Sequence, residues 1–208
     1  ARFWLKTGVR PTEVYHGTLQ RQTRTAEVVG EIFQESGVDW PEHKILPGLN
    51  EYPADEMMDV LLPHLSSYNE RIDKLNDAFQ RAEESRERYV TFHRLLEAVM
   101  DEWINGGHDL DGLPPWHAFS GAVRDAAKTI LAEKGSGREV AVFTSGGVIG
   151  VCVQTCLQAP DIKAAELNWR IHNGSVTTFT FSNGGARLAL DHFNDIQHFT
   201  REELRTFR

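Results

Sequence analysis

Cysteine is nearly absent: the 208 residues hold two, Cys152 and Cys156. Two cannot staple a small secreted scaffold, so a disulfide framework is excluded and a reducing, cytoplasmic setting is expected. At i, i+4 in an apolar stretch they read as buried thiols on one helix face, because a disulfide at that spacing strains a helix. Long hydrophobic runs are lacking. None approaches the roughly 20 residues of a membrane helix, and no signal peptide opens the chain, so no membrane association is expected. Positive charge is in deficit: 22 Lys and Arg against 30 Asp and Glu leave a net charge of -8. Nucleic-acid backbones need a basic face, so nucleic acid is not an expected partner. A phosphorylated small molecule needs only a few local cations and stays open.

Several chemical signatures are missing as well. There is no His-Glu-x-x-His and no Cys-x-x-Cys, and the closest late histidines, His192 and His198, read as surface or satisfied groups; no metal is implied. Neither a Gly-Lys-Ser/Thr nucleotide loop nor a Rossmann glycine triplet is present, so no organic cofactor is implied. The hydrolase elbow Gly-x-Ser-x-Gly fails at Ser145, because Phe143 stands where its first glycine belongs.

What is present reads as one globular domain over residues 1–208, 40% hydrophobic and 25% charged, with a helical cap insertion at about 54–115. Ala1-Arg2-Phe3-Trp4-Leu5 starts inside a helical pattern that Gly8 ends, and an upstream beginning is expected. Val14-Tyr15 is a short strand. Thr18 caps a helix to about Ser36 that buries Leu19, Ala26, Val29, Ile32 and Phe33 and stops at Gly37. Residues 54–107 read as helix throughout, along Met57, Leu61, Ile72, Phe79, Tyr89, Leu96, Val99 and Trp103. Trp116 to Gly135 is another helix. Glu139-Val140-Ala141-Val142-Phe143 has the nearly all-apolar character of a buried parallel strand and feeds a helix from Val148 to Leu157. Two strand-like runs, Ser175–Phe181 and Arg187–Phe193, flank the turn Ser182-Asn183-Gly184-Gly185. This order predicts an α/β fold of three layers, α/β/α, with a mainly parallel central sheet, an antiparallel edge and a helical cap.

Three places could carry chemistry. Thr144-Ser145-Gly146-Gly147 joins a strand to a helix, where a glycine pair admits a ligand and unpaired N–H groups favour an anion; the plain alternative is a tight connection with Ser145 as cap. Arg21 and Arg24 share a helix face after the first strand and could fork an anion, or simply be solvated. Glu51, in a loop bounded by Pro47 and Pro53, could be a general acid or a surface carboxylate.

Taken in order, these segments resemble the histidine phosphatase (phosphoglycerate-mutase-like) superfamily. Residues 14–27, Val-Tyr-His-Gly-Thr-Leu-Gln-Arg-Gln-Thr-Arg-Thr-Ala-Glu, are similar to its Leu-x-Arg…Thr-Ala motif, with Arg21 on the phosphate-binding arginine. Leu49-Asn50-Glu51 resembles the Leu-x-Glu segment, which gives Glu51 the proton-donor role. Residues 140–149 resemble the motif Val-x-x-x-Ser-His-Gly-Gly, and Asn173–Thr177 with Phe193-Asn194-Asp195 resembles the closing strands. The resemblance implies hydrolysis of a phosphomonoester through a phosphohistidine. Arg21, Ser145 and Gly146 would bind phosphate, Glu51 would protonate the leaving oxygen, and no cofactor would be needed. The defining Arg-His-Gly motif is not in the chain and is expected upstream of Ala1, without which the chain would lack its nucleophile. Ser145 stands where the family has its second histidine, and His16-Gly17 replaces small Ser or Thr residues. The alternative expectation is a catalytically weak relative that binds a phosphorylated ligand or protein.

Overall fold

The computed structural model describes residues 1–182 and 187–207. Contacts gather it into two compact units, Ala1–Glu51 with Ser120–Arg208, and Tyr52–Phe119. The elements in chain order are α1 (Arg2–Thr7), β1 (Glu13–His16), α2 (Gln20–Glu35), β2 (His43–Ile45) and a 3-10 turn at Pro47–Leu49. Then follow α3 (Ala54–Glu56), a π-helical stretch (Met57–Leu61), α4 (Leu62–Ser66), α5 (Glu70–Arg81), α6 (Ser85–Asn105) and α7 (Trp116–Ala132). The chain closes with β3 (Val140–Phe143), α8 (Gly146–Leu157), α9 (Ile162–Asn168), β4 (Val176–Phe181), β5 (Leu188–Asp195) and a 3-10 turn at Glu202–Leu204.

The protein is α/β. β1 lies between β2 and β3, parallel to both, with Val14 opposite His43 and Ala141, and His16 opposite Ile45 and Phe143. The parallel sheet is as expected. The antiparallel pair β4–β5 forms a sheet of its own and is not hydrogen-bonded to the first as its edge. Its Ser182-Asn183-Gly184-Gly185 turn falls, after Ser182, outside the described residues.

α2 packs on β1 and β3. Its buried stripe is Gln22, Ala26, Gly30 and Phe33, not the Leu19, Val29 and Ile32 of the apolar pattern, which flank it half-buried. Gly30 admits the Trp40 indole, which stacks at 4.8 Å on Phe33. Val14, Ala26 and Ala141 form the cluster beneath, with Trp4, Trp40 and Phe143 against it. Thr18 does not cap α2. The cap position is Leu19, and the Thr18 hydroxyl instead accepts from Asn50 Nδ2 at 2.8 Å. α8 begins at Gly146, ahead of the expected Val148, because both turn glycines are already helical. α9, which the periodicity did not announce, closes on α8 where Gly150 meets the Ala164 carbonyl; a Cβ there would collide with backbone.

In the second unit the expected continuous helix is broken at residues 67–69 and 82–84. Asn69 starts α5 afresh by accepting the Ile72 N–H, and Ala82 turns extended. Met57, Leu61, Leu65, Ile72, Leu95, Val99, Met100 and Trp103 form its core. Trp103 lies edge-on to Trp116 at 5.3 Å and donates to Pro114 O at 2.9 Å. Tyr89 is exposed rather than part of that core.

On the sheet face opposite Val14, Glu13 accepts from Arg138 Nε at 2.5 Å, Tyr15 Oη at 2.7 Å and Lys44 Nζ at 3.2 Å. Arg138 also donates to Ile130 O and Glu133 O, tying the end of α7 to the sheet. These partners, Arg138 foremost, hold the Glu13 carboxyl at about 2, below its ordinary 4.5. The unfolded chain therefore takes up this proton first, so the stabilisation is whole above pH 4.5 and is lost as pH falls towards 2. In urea melts the wild type's advantage over Glu13→Gln should shrink as pH falls through that window, the wild type losing on the order of 2–3 kcal/mol more. Parallel acid profiles would contradict this.

Candidate functional site

Three chain segments meet at the carboxyl ends of the parallel strands, the place where open α/β sheets bind ligands. β1 ends at His16, and Gly17 leads into α2. β2 leads into the 3-10 turn and on to Asn50 and Glu51. β3 runs into Thr144-Ser145 and α8.

The Leu49 carbonyl ties the three together. It accepts from Gln22 Nε2 at 2.8 Å and from Thr144 Oγ1 at 2.7 Å. Gln22 Nε2 also lies 2.9 Å from Ser145 Oγ. Asn50 Oδ1 holds the Thr18 N–H at 2.6 Å, fixing the loop against the start of α2. Gly17 suits this place: a Cβ would strike the side-chain oxygens of Gln22 and Asn50, which would have to move.

Ser145 occupies the cap position of α8, extended at φ -121°, yet its hydroxyl makes no capping bond. Glu51 does the equivalent work, its Oε2 accepting the Gly147 N–H at 3.2 Å. A carboxylate thus sits at the positive end of the helix, the position that attracts anions. Gly146 is backed by Asn168 at the end of α9, whose side-chain oxygen a Cβ would strike.

His16 is buried, 2% exposed, with Nδ1 turned to Gly17 O at 2.6 Å and its ring edge-on to His43 at 5.3 Å. Burial, with the neighbouring His16, pushes the His43 imidazole down against a weaker upward pull from Glu27. His43 Nε2 accordingly stands as acceptor for Trp40 Nε1 at 2.9 Å.

Of the residues singled out in the sequence, Glu51, Ser145 and Gly146 gather at the α8 turn. Arg21 is exposed on the first turn of α2. Arg24 is committed elsewhere, to Glu27 at 3.1 Å and Glu31 at 2.8 Å. Gln22 is the residue that sequence reasoning passed over. It lies between the arginines, is 2% exposed and reaches Ser145. Its signal was its place on the Ala26–Phe33 face, where a polar side chain must find partners.

Among the described residues no group of three or more His, Cys, Asp or Glu is arranged to hold a metal ion. No helix among them is long and apolar enough to cross a membrane. Cys152 and Cys156 are unbridged, and burial pushes the Cys152 thiol up to about 12, which makes it a poor nucleophile.

Fold and site together define an α/β protein in which the start of α8, capped by the Glu51 carboxylate, lies at the ends of the parallel strands. Residues 102–195 match the family model described as the histidine phosphatase superfamily (branch 1). That stretch includes β3, the Ser145 turn, α8 and the closing hairpin, and the match supports the superfamily read from the motifs and phosphatase-type or related chemistry. No curated protein and no solved structure is a significant match for the chain.

Proposed function

We propose that this protein hydrolyses phosphomonoesters by way of a phosphohistidine, with the nucleophilic histidine on a strand encoded upstream of Ala1. The observation that carries the reading is the convergence of Ser145, the α8 N–H groups and Glu51 at the strand ends, within the superfamily match. Arg21 and the Gly146 N–H hold the phosphate, and the Ser145 hydroxyl contacts one of its oxygens. Glu51 protonates the leaving oxygen.

The split sheet supports an upstream strand. Among the described residues β3 pairs only with β1, and β4–β5 stands apart. Phe181, the last residue of β4, nonetheless lies under the Arg138 guanidinium at 5.4 Å, next to the start of β3. A strand added parallel to β3 on its open side would fill the break and end beside Ser145, as an Arg-His-Gly strand must. The protein is read as cytoplasmic and its substrate as a phosphorylated small molecule.

The second reading, a weakly catalytic protein that binds a phosphorylated ligand, is favoured by one feature. Ser145 and Gln22 form a neutral pair where the family has a cationic histidine.

Titration with inorganic phosphate, followed through backbone amide resonances, tests the shared core of both readings. The Gly146 and Gly147 amides should shift first as phosphate displaces or joins Glu51, with EDTA making no difference. Shifts confined to other residues would overturn the site.

A further inference from the structure

We propose that Gln22 is a positioning residue that commits the Ser145 hydroxyl to donating a hydrogen bond to a bound phosphate oxygen. The inference rests on the phosphate site proposed above and names a device within it.

Donor and acceptor chemistry fixes the orientation of both side chains. Leu49 O can only accept, so the Gln22 atom at 2.8 Å from it must be the amide nitrogen, which fixes the orientation of the side chain. The second N–H of the same nitrogen faces Ser145 Oγ at 2.9 Å, so the serine oxygen is the acceptor of that bond. Its own proton must then point elsewhere. It does not cap α8, whose first turn receives no side-chain bond from Ser145. The hydroxyl is thereby left as a donor at the start of a helix that favours anions.

The amide is held in place at a cost. Gln22 Oε1 is buried with no hydrogen-bond partner, pressed beside Gly17. A buried acceptor left unmatched destabilises the fold, so a glutamine chosen only for packing would be a poor choice here. The nitrogen at the other end, bonded to Leu49 O and Ser145 Oγ, gives the residue a role there. A serine lacking this neighbour could rotate its proton back towards protein acceptors, and the bond to phosphate would be lost.

The test is a double-variant cycle read as the phosphate dissociation constant from the Gly146 and Gly147 amide shifts, with thermal melts as a folding control. Ser145→Ala should weaken phosphate binding roughly 10- to 100-fold, the range for one lost hydrogen bond to a charged group. Gln22→Met, similar in size but without the amide, should weaken it to a comparable degree when Ser145 is present. In the Ser145→Ala background the same change should alter affinity less than about twofold. A structural role for Gln22 would weaken binding equally in both backgrounds, and that result overturns the proposal, as does an unchanged affinity in Gln22→Met alone. Should Gln22→Met lose its cooperative melt, Gln22→Leu takes its place in the cycle. A wild type that binds no phosphate overturns the phosphate site and this device with it; binding without the cycle's coupling overturns the device alone.

Discussion

Replacing Arg21 with alanine should weaken phosphate binding by roughly 10- to 100-fold, the span expected for a charge-assisted guanidinium contact. Turnover of a phosphomonoester should fall at least as far, because the contact strengthens as charge develops on the phosphoryl group. Arg24→Ala should leave both within about twofold, because its guanidinium is already held by Glu27 and Glu31 on the exposed face of α2. Phosphate titration and steady-state kinetics on the two variants check this. Equal effects would mean that the Leu-x-Arg motif is aligned one helical turn out, and the assignment of Arg21 would fail with it.

The second large effect concerns Ser145. If serine merely weakens a site built for histidine, Ser145→His should restore it by adding charge and a donor. The packing argues otherwise for the single change. Ser145 is 9% exposed and Gln22, at 2% exposed, fills the space beside it, so an imidazole there overpacks the turn. Ser145→His alone should therefore lower turnover and melting temperature. Ser145→His combined with Gln22→Ala, which clears the space, should raise turnover above wild type by on the order of 10²-fold, the scale of one oxyanion-type donor. Both variants belong in a protein that carries the proposed upstream strand. The alternative is that His16 supplies the missing donor, in which case His16→Ala abolishes turnover and the double variant gains nothing. The His16 Nδ1 bond to Gly17 O and the packing on His43 make this the less favoured outcome.

The sequence showed β1, β3, the two β-rich runs that become β4 and β5, and the glycine turn because each is written locally, as an apolar run at 140–143 or a Gly-Gly pair before an apolar helix; it did not show β2, three residues long with none buried. It did not show α9, whose Ala164 and Ala165 are buried through contact with α8 across Gly150, a dependence on a distant partner that periodicity does not register. The long charged stretch from Ala54 looked continuous because its helical rhythm carries across the breaks; only the Asn69 cap and the extended Ala82 interrupt it. The motifs singled out Glu51 and Ser145, and the structure brings both to the start of α8. Gln22 was not, because its role depends on a carbonyl 27 residues away and a hydroxyl 123 residues away. The separate β4–β5 sheet was unforeseeable for a similar reason, since pairing is decided by which strands are there to pair.

The central claim is phosphate transfer to a histidine at these strand ends. Protein carrying the proposed upstream strand should be incubated with a monoester carrying radiolabelled phosphate, quenched by denaturation and assayed for label bound to the chain. The account predicts a label that is stable in base and lost in acid, as a phosphohistidine is, and that disappears in Arg21→Ala. An unlabelled chain during measurable turnover, or a label that survives acid, would contradict it.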